Sequence, residues 1–69
     1  MTLLEYRRKL GWSLSELTRR AGLDFNTTKR AENGEPVSSR TATALARAIS
    51  EGLGQTILPS DIDGLNVNI

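Results

Sequence analysis

Apolar residues recur at helical spacing along most of the chain, and breaks rich in glycine separate the periodic segments. The breaks lie at Gly11, Gly22, 34–36, 52–54, Pro59 and Gly64. Residues that share one helical face are Leu3, Tyr6 and Leu10 in the first segment, Leu14, Leu17 and Ala21 in the second, and Ala42, Leu45, Ala46 and Ile49 in the fourth. This pattern predicts short amphipathic helices that bury one face each.

Residues that favour helix starts precede each of these segments. A Thr or Ser followed three residues later by Glu is the spacing of a capping box, and Asp or Ser alone is also a good N-cap. The predicted caps are Thr2 with Glu5, Ser13 with Glu16, Asp24 for the third segment, and Ser38 or Ser39 for the fourth. We therefore expect helices over about 2–10, 14–21, 25–33 and from 38 onward.

The third segment is unusually polar for a helix in so small a protein. Its apolar residues are Phe25 and Ala31, with Leu23 just before it, and the remainder is mostly Asn, Thr, Lys and Arg. Only Gly22-Leu23-Asp24 joins it to the second segment. Two short helices with a glycine-containing turn of this length have the spacing of a helix-turn-helix, although plain helical hairpins share it.

The C-terminal residues change from a helical to an alternating pattern. Ser60 is predicted to cap a short turn that carries Ile62, and 65–69 alternates strictly, as a strand does. We find no partner strand for Leu65, Val67 and Ile69 in the rest of the sequence. The segment is then either a strand that pairs antiparallel with a second copy across a two-fold axis or a frayed tail. The expected division is a domain over 1–63 and a C-terminal tail or dimerisation strand over 64–69.

Composition excludes several classes of protein. The 69 residues make one domain and include no Cys and no His, so the usual thiolate and imidazole chemistry is missing. No apolar run approaches the roughly 20 residues that span a membrane, and no signal-peptide block follows Met1. Asp61 and Asp63 flank one turn, but a metal site needs more ligands. We expect neither an enzyme nor a metal or cofactor site.

Charge is distributed unevenly along the chain. All nine basic residues lie within 1–47, together with five acids, which gives +4, whereas 48–69 holds three acids and no base, which gives −3. A basic front part suggests an anionic partner for that part, although solvated helix faces would produce the same distribution.

The stretch 11–49 resembles the helix-turn-helix family of phage repressors and Cro proteins, the lambda-repressor-like family. The resemblance rests on Gly11-x-Ser13, Glu16-Leu17, Ala21-Gly22, Glu32-Asn33-Gly34 followed by Pro36, and the "LARAI" sequence at 45–49. With the first helix added, it covers about 2–63. It implies an all-α domain of five helices whose third helix, 25–33, enters the major groove of DNA.

The resemblance also implies which residues bind. Positions matching base-facing ones are Phe25, Asn26, Lys29 and Arg30, and those matching phosphate contacts are Ser13, Thr27, Asn33 and Arg40. Arg and Lys suit guanine, Asn suits adenine, and Phe can touch a thymine methyl. The alternatives are phosphate contacts only for the basic residues, a core position for Phe25, and plain capping for Ser13 and Asn33.

Two internal features accompany the resemblance. Arg7 and Glu32 match an ion pair between the first and third helices. Thr28 stands where the family usually has Ile or Val, so we expect its methyl to be buried and its hydroxyl to bond back to the helix. Leu14 replaces a residue that is usually polar, which removes one DNA contact.

The expected function is therefore sequence-specific binding of double-stranded DNA by a small transcriptional regulator, most simply a repressor. We expect a cytoplasmic, nucleoid-associated homodimer of bacterial or phage origin, with no small-molecule effector. The alternative is a protein-interaction module of the same fold, like an antitoxin or a coactivator, in which the acidic residues from Glu51 onward grip a partner.

Overall fold

The computed structural model describes residues 1–68, and within that range the chain forms mostly helices with one small sheet. The elements in order are α1 (Leu3–Leu10), α2 (Leu14–Ala21), α3 (Phe25–Glu32), β1 (Val37–Ser38), α4 (Ser39–Leu53), a 3₁₀ turn (Pro59–Asp61) and β2 (Val67–Asn68). The expectation of five α-helices was wrong, because the fifth is a single 3₁₀ turn in the residues described. No helix in this range is long and apolar enough to cross a membrane.

Capping explains where α1 and α2 begin. At α1, the amide of Glu5 donates to Thr2 Oγ1 and the amide of Thr2 donates to Glu5 Oε1, so the predicted capping box is complete. At α2, Ser13 Oγ accepts from the amide of Glu16 at 3.1 Å. The predicted capping box at α2 is incomplete, because the Glu16 carboxylate accepts no bond from the amide of Ser13. It accepts bonds from the guanidinium groups of Arg19 and Arg20 instead.

The core forms around α4, as its apolar stripe predicted. Leu45 and Ile49 are fully buried, and Leu17 of α2 is buried with them. Ser38 provides the N-cap of α4 by accepting from the amide of Thr41. The remaining buried apolar residues are Leu3, Tyr6, Ala31, Val37, Ala42, Ala46, Ala48, Ile57 and Ile62.

Trp12 covers the edge of the core where α1 leads into α2. A Cβ atom added to Gly52 of α4 would lie 2.6 Å from the Trp12 ring, so only glycine lets the indole approach the helix this closely. The guanidinium of Arg20 in α2 lies over the Trp12 ring, 4.6 Å from the ring centroid. Trp12 therefore connects α2 and α4 and has a structural role.

The turn between α2 and α3 is short because Gly22 adopts the left-handed conformation that ends α2. Its φ angle is +69°, and its amide donates to the carbonyl of Arg19. Leu23 is partly buried against the core, and α3 begins after Asp24. The two helices thus pack against one another, and α2 also packs against α4.

The C-terminal strand finds its partner within the same chain. β2 runs parallel to β1, with Val37 opposite Val67 and Ser38 opposite Asn68, and the amide of Val37 donates to the carbonyl of Asn66 at 2.8 Å. The statement that the chain offers no partner strand was therefore wrong. A strand of two residues that leads directly into the α4 cap has no alternating pattern to reveal it. Ile69 lies outside the described residues.

The 3₁₀ turn also begins differently from the prediction. Ser60 is not its cap, because Asp61 Oδ2 accepts from the amide of Leu58, and Pro59 supplies the first residue. Proline suits that position, since its fixed φ angle is already helical and its missing N–H group would have had no partner. Ile62 follows the turn and is buried.

Candidate nucleic-acid interface

The outward face of α3 carries the polar and basic residues that the sequence singled out. Phe25, Asn26, Lys29 and Arg30 are all exposed, and Phe25 keeps 46% of its surface accessible. They share a face because residues three and four apart on a helix are neighbours. The alternative of a core position for Phe25 is excluded by this exposure.

The inward face of α3 is small. Thr28 has no accessible surface and Ala31 has 2%. Thr28 Oγ1 donates to the carbonyl of Asp24 at 3.3 Å, so the hydroxyl bonds back to the helix as predicted. Two short side chains can bury little apolar area, so α3 needs other contacts to hold its orientation.

The ion pair between Arg7 and Glu32 supplies such a contact. Arg7 donates from Nε to Glu32 Oε2 at 2.9 Å and from Nη2 to Oε1 at 2.8 Å, and its Nη1 donates to the carbonyl of Trp12. The two side chains are 17% and 15% exposed. The bond to Glu32 raises the pKa of Arg7, against the opposing effect of burial. This bidentate pair joins α1 to the C-terminal end of α3, as the resemblance implied.

An open depression of about 270 Å³ lies beside the exposed face of α3. Its lining residues are Asn26, Lys29, Arg30, Asn33 and Glu35. The structure thus brings together three of the residues predicted to face bases and one predicted to contact phosphate. Phe25, Thr27, Ser13 and Arg40 do not line this depression.

Glu35 is the lining residue that sequence reasoning missed. It was counted only as one of the acids in the basic front part of the chain. Its amide donates to the carbonyl of Arg30 at 3.0 Å, which turns the chain back across the end of α3. The sequence signal that could have located it is Gly34, because a helix ending in a left-handed glycine commonly closes with this bond.

The turn after α3 uses its own backbone donors. Asn33, Gly34 and Glu35 donate their amides to the carbonyls of Lys29, Ala31 and Arg30, and Gly34 has a φ angle of +82°. Pro36 has no N–H group. The backbone amides of this turn are therefore already bonded, and a phosphate contact at Asn33 would come from its side-chain amide.

The other predicted phosphate contacts differ in how free their polar atoms are. Thr27 Oγ1 donates to Asp24 Oδ2 at 2.6 Å, and Asp24 makes no side-chain cap bond to α3 within residues 1–68. Ser13 Oγ serves as the α2 cap. Arg40 is exposed in the first turn of α4. Each is at the surface, but the hydroxyls of Thr27 and Ser13 already take part in local bonds.

Basic side chains divide into paired and unpaired groups. Across the described part of the chain, Arg7, Arg19 and Arg20 form ion pairs with Glu32 or Glu16. The basic residues without an ion pair in that same part are Arg8, Lys9, Lys29, Arg30, Arg40 and Arg47. Lys29 and Arg30 are thus available to an external anion or acceptor. The same residues 1–68 contain no group of side chains that could hold a metal ion.

Comparison with known proteins adds no relative. No protein-family model, curated protein or solved structure matches the chain. The chemistry of the site therefore rests on its own residues: a helix face with amide and cationic donors, held from behind by a bidentate ion pair.

Proposed function

We propose that this protein binds double-stranded DNA sequence-specifically and acts as a small transcriptional regulator, most simply a repressor, with a helix-turn-helix of the lambda-repressor type. One observation carries the proposal: Asn26, Lys29 and Arg30 line one open depression on the exposed face of α3, and neither cation is paired within residues 1–68. A helix whose exposed face carries several hydrogen-bond donors fits the acceptor-rich edges of bases in the major groove.

Base recognition in this proposal follows from the donors available. Arg30 and Lys29 donate to N7 and O6 of guanine, and Asn26 forms paired bonds with adenine. Phe25, exposed at the start of α3, contacts a thymine methyl. The start of a recognition helix is the part that approaches base edges, which suits Phe25 and Asn26.

Phosphate contacts would fix the position of α3 in the groove. Arg40 and the Asn33 side chain are the donors best placed for this, since both are exposed. Ser13 and Thr27 add hydroxyls at the starts of α2 and α3, where helix dipoles also favour an anion. Every neutralised phosphate releases counterions, so binding should fall steeply as salt rises.

Repression would occur by occlusion, because a protein seated in the major groove blocks access of a polymerase to the same DNA. One copy has one recognition helix and contacts one half-site. Two copies on half-sites about one helical turn, roughly 34 Å, apart would give useful affinity. A homodimer through Leu65, Val67 and Ile69 remains part of the proposal, now with the second copy added at the edge of β2 that does not face β1.

A selection from random DNA duplexes at near-physiological salt tests this function, with the bound pool sequenced afterwards. We expect an enriched motif, and a palindrome would also give the half-site spacing of a dimer. Absence of enrichment, together with absence of salt-sensitive DNA retention, would contradict the proposal and favour a protein-interaction module.

Arg30→Ala tests the role of the depression itself. We expect a loss of about 1–3 kcal/mol of binding free energy and a relaxed preference at one base position. The control is Arg47→Ala, which removes another exposed, unpaired arginine, two turns along α4 from Arg40. If Arg30→Ala loses the same binding free energy on every duplex, Arg30 contacts phosphate and does not read a base.

A further inference from the structure

The depression beside α3 contains one carboxylate among its donors. Glu35 lines the same surface as Lys29 and Arg30, yet it forms no ion pair with either one in residues 1–68. A surface that only attracted phosphates would gain from a neutral or basic residue there, since a carboxylate repels the DNA backbone. The carboxylate also follows the C-terminus of α3, where the helix dipole disfavours negative charge. Its position therefore calls for a hydrogen-bond donor on the ligand.

The backbone holds Glu35 in place. Its amide is bonded to the carbonyl of Arg30 at 3.0 Å, and two residues later Val37 is bonded to Asn66 and buried. The side chain is exposed. Glu35 is thus presented to the ligand from a fixed turn.

Glu35 lies beside the part of α3 that carries Arg30. The helix ends at Glu32, and the turn that follows brings Glu35 back to line the same depression as Arg30. When α3 lies in the major groove, the two side chains therefore face the same stretch of base edges.

We infer that Glu35 is a specificity residue that accepts a hydrogen bond from the N4 amino group of a cytosine whose paired guanine is contacted by Arg30. This inference rests on the proposed DNA-binding function and assigns part of its half-site. In the major groove, guanine presents two acceptors and its paired cytosine presents one donor. Arg30 offers only donors and Glu35 only acceptors, so the two side chains complement a single G·C pair.

The same chemistry rejects other pairs at this position. A thymine at the Glu35 side would place its O4 acceptor against a carboxylate, leaving both oxygens without a hydrogen. Discrimination by a good base contact is about 1–3 kcal/mol, which corresponds to about 5- to 150-fold in affinity.

The test is a random-duplex selection with the wild-type protein, Glu35→Ala and Glu35→Gln, followed by affinity measurements on the best duplex and its single-base variants. We expect Glu35→Ala to lose the cytosine preference at one position by about 5- to 150-fold and to keep the rest of the motif. Because Gln keeps one oxygen that can accept from cytosine N4 and Arg30 still contacts the paired guanine, we expect Glu35→Gln to keep cytosine at that position with a weaker preference than the wild type. The control is Glu51→Ala, an exposed acid on α4, which should leave the motif unchanged.

Two results would overturn the inference while the proposed function stands. Glu35→Ala could bind every duplex more tightly by the same factor, which would make Glu35 a repeller of phosphate. It could also leave the enriched motif and all affinities unchanged. If the wild-type protein enriches no duplex, the proposed function fails, and the inference about Glu35 fails with it.

Discussion

Helices α3 and α4 are held in the domain by different kinds of contact. α4 has 15 residues and buries Thr41, Ala42, Leu45, Ala46, Ala48 and Ile49. α3 has eight residues and buries only Thr28 and Ala31. α3 is also held by the ion pair of Glu32 with Arg7, and Asp24, the N-cap residue that precedes it, makes no cap bond from its side chain in the range described.

This difference shows how a small domain can present a polar helix without losing its fold. α4 buries apolar area, and burial stabilises the folded state roughly in proportion to the apolar surface that is removed from water. α3 contributes little apolar area and is oriented by a directional pair of hydrogen bonds, which leaves its opposite face free for a ligand. Variants of each kind of contact test whether polar contacts hold α3 as strongly as apolar contacts hold α4.

Glu32→Ala should have the largest effect on stability. It leaves the Arg7 guanidinium partly buried without its partner, and loss of one member of a buried pair costs about 3–5 kcal/mol. Urea unfolding, followed by circular dichroism, would measure the loss. The control is Glu16→Ala, which breaks the more exposed pairs with Arg19 and Arg20 and should cost at most about 1 kcal/mol.

A double variant, Arg7→Leu with Glu32→Met, separates the charge from the packing at this pair. Two apolar side chains of similar size leave no unpaired charge, so most of the stability should return. Recovery of stability without recovery of DNA binding would indicate that the ion pair sets the orientation of α3. A loss with Glu32→Ala no larger than with Glu16→Ala would contradict this account of α3.

Leu45→Ala tests the apolar side of the comparison. Leu45 is fully buried at the centre of α4, so we expect a loss of about 2–5 kcal/mol, from lost transfer free energy and the cavity left behind. The same unfolding experiment measures it. Leu58→Ala is the matched control, since Leu58 is 54% exposed and its truncation should change the free energy of unfolding by less than about 0.5 kcal/mol.

Ser38→Ala and Asp24→Ala compare the two N-caps. Ser38 caps α4 with a bond from the amide of Thr41, so its loss should cost about 1 kcal/mol. Asp24 makes no such bond to a backbone amide of α3. It keeps a favourable charge at the helix start and an exposed hydrogen bond from Thr27 Oγ1, so its loss should cost about 0.5 kcal/mol. Thermal unfolding of the two variants would rank their losses of stability. A larger loss of stability for Asp24→Ala than for Ser38→Ala would show that Asp24 caps α3 in solution.

Thr28→Val should have the smallest effect. The hydroxyl bond to Asp24 is long, at 3.3 Å, and the same carbonyl also accepts from the amide of Thr28. Replacing the hydroxyl with a methyl group therefore leaves no unpaired partner, and we expect a change within about 0.5 kcal/mol of zero or a small gain in stability. A loss above about 1 kcal/mol in urea unfolding would show that the hydroxyl anchors α3.

Periodic residues made the helices predictable from the sequence. The apolar stripe of α4 and the capping of α1 by Thr2 were correct, because hydrophobic spacing and capping act within a few residues. The bond from Thr28 back to its own helix was also correct, since it depends on one turn of chain. The fifth helix was wrong, because a turn of three residues has too little pattern to separate 3₁₀ from α geometry.

The candidate site was predictable only on the helix itself. Asn26, Lys29 and Arg30 were expected there from the resemblance, and the structure brings the three together at one depression beside α3. Glu35 could not be placed in the same way, because its position depends on how Gly34 turns the chain at the end of the helix. The bonds that occupy the backbone amides of Asn33, Gly34 and Glu35 depend on the same turn.

The sequence by itself determined the order and faces of the four helices, because their spacing, caps and glycine breaks are local properties of the chain. Only the tertiary structure decided that β2 pairs with β1, since residues 30 apart in the chain meet there only after α4 has packed. The tertiary structure also decided that Glu35 shares a depression with Arg30. Contacts between distant segments depend on the packing of the whole core, and no window of neighbouring residues contains that information.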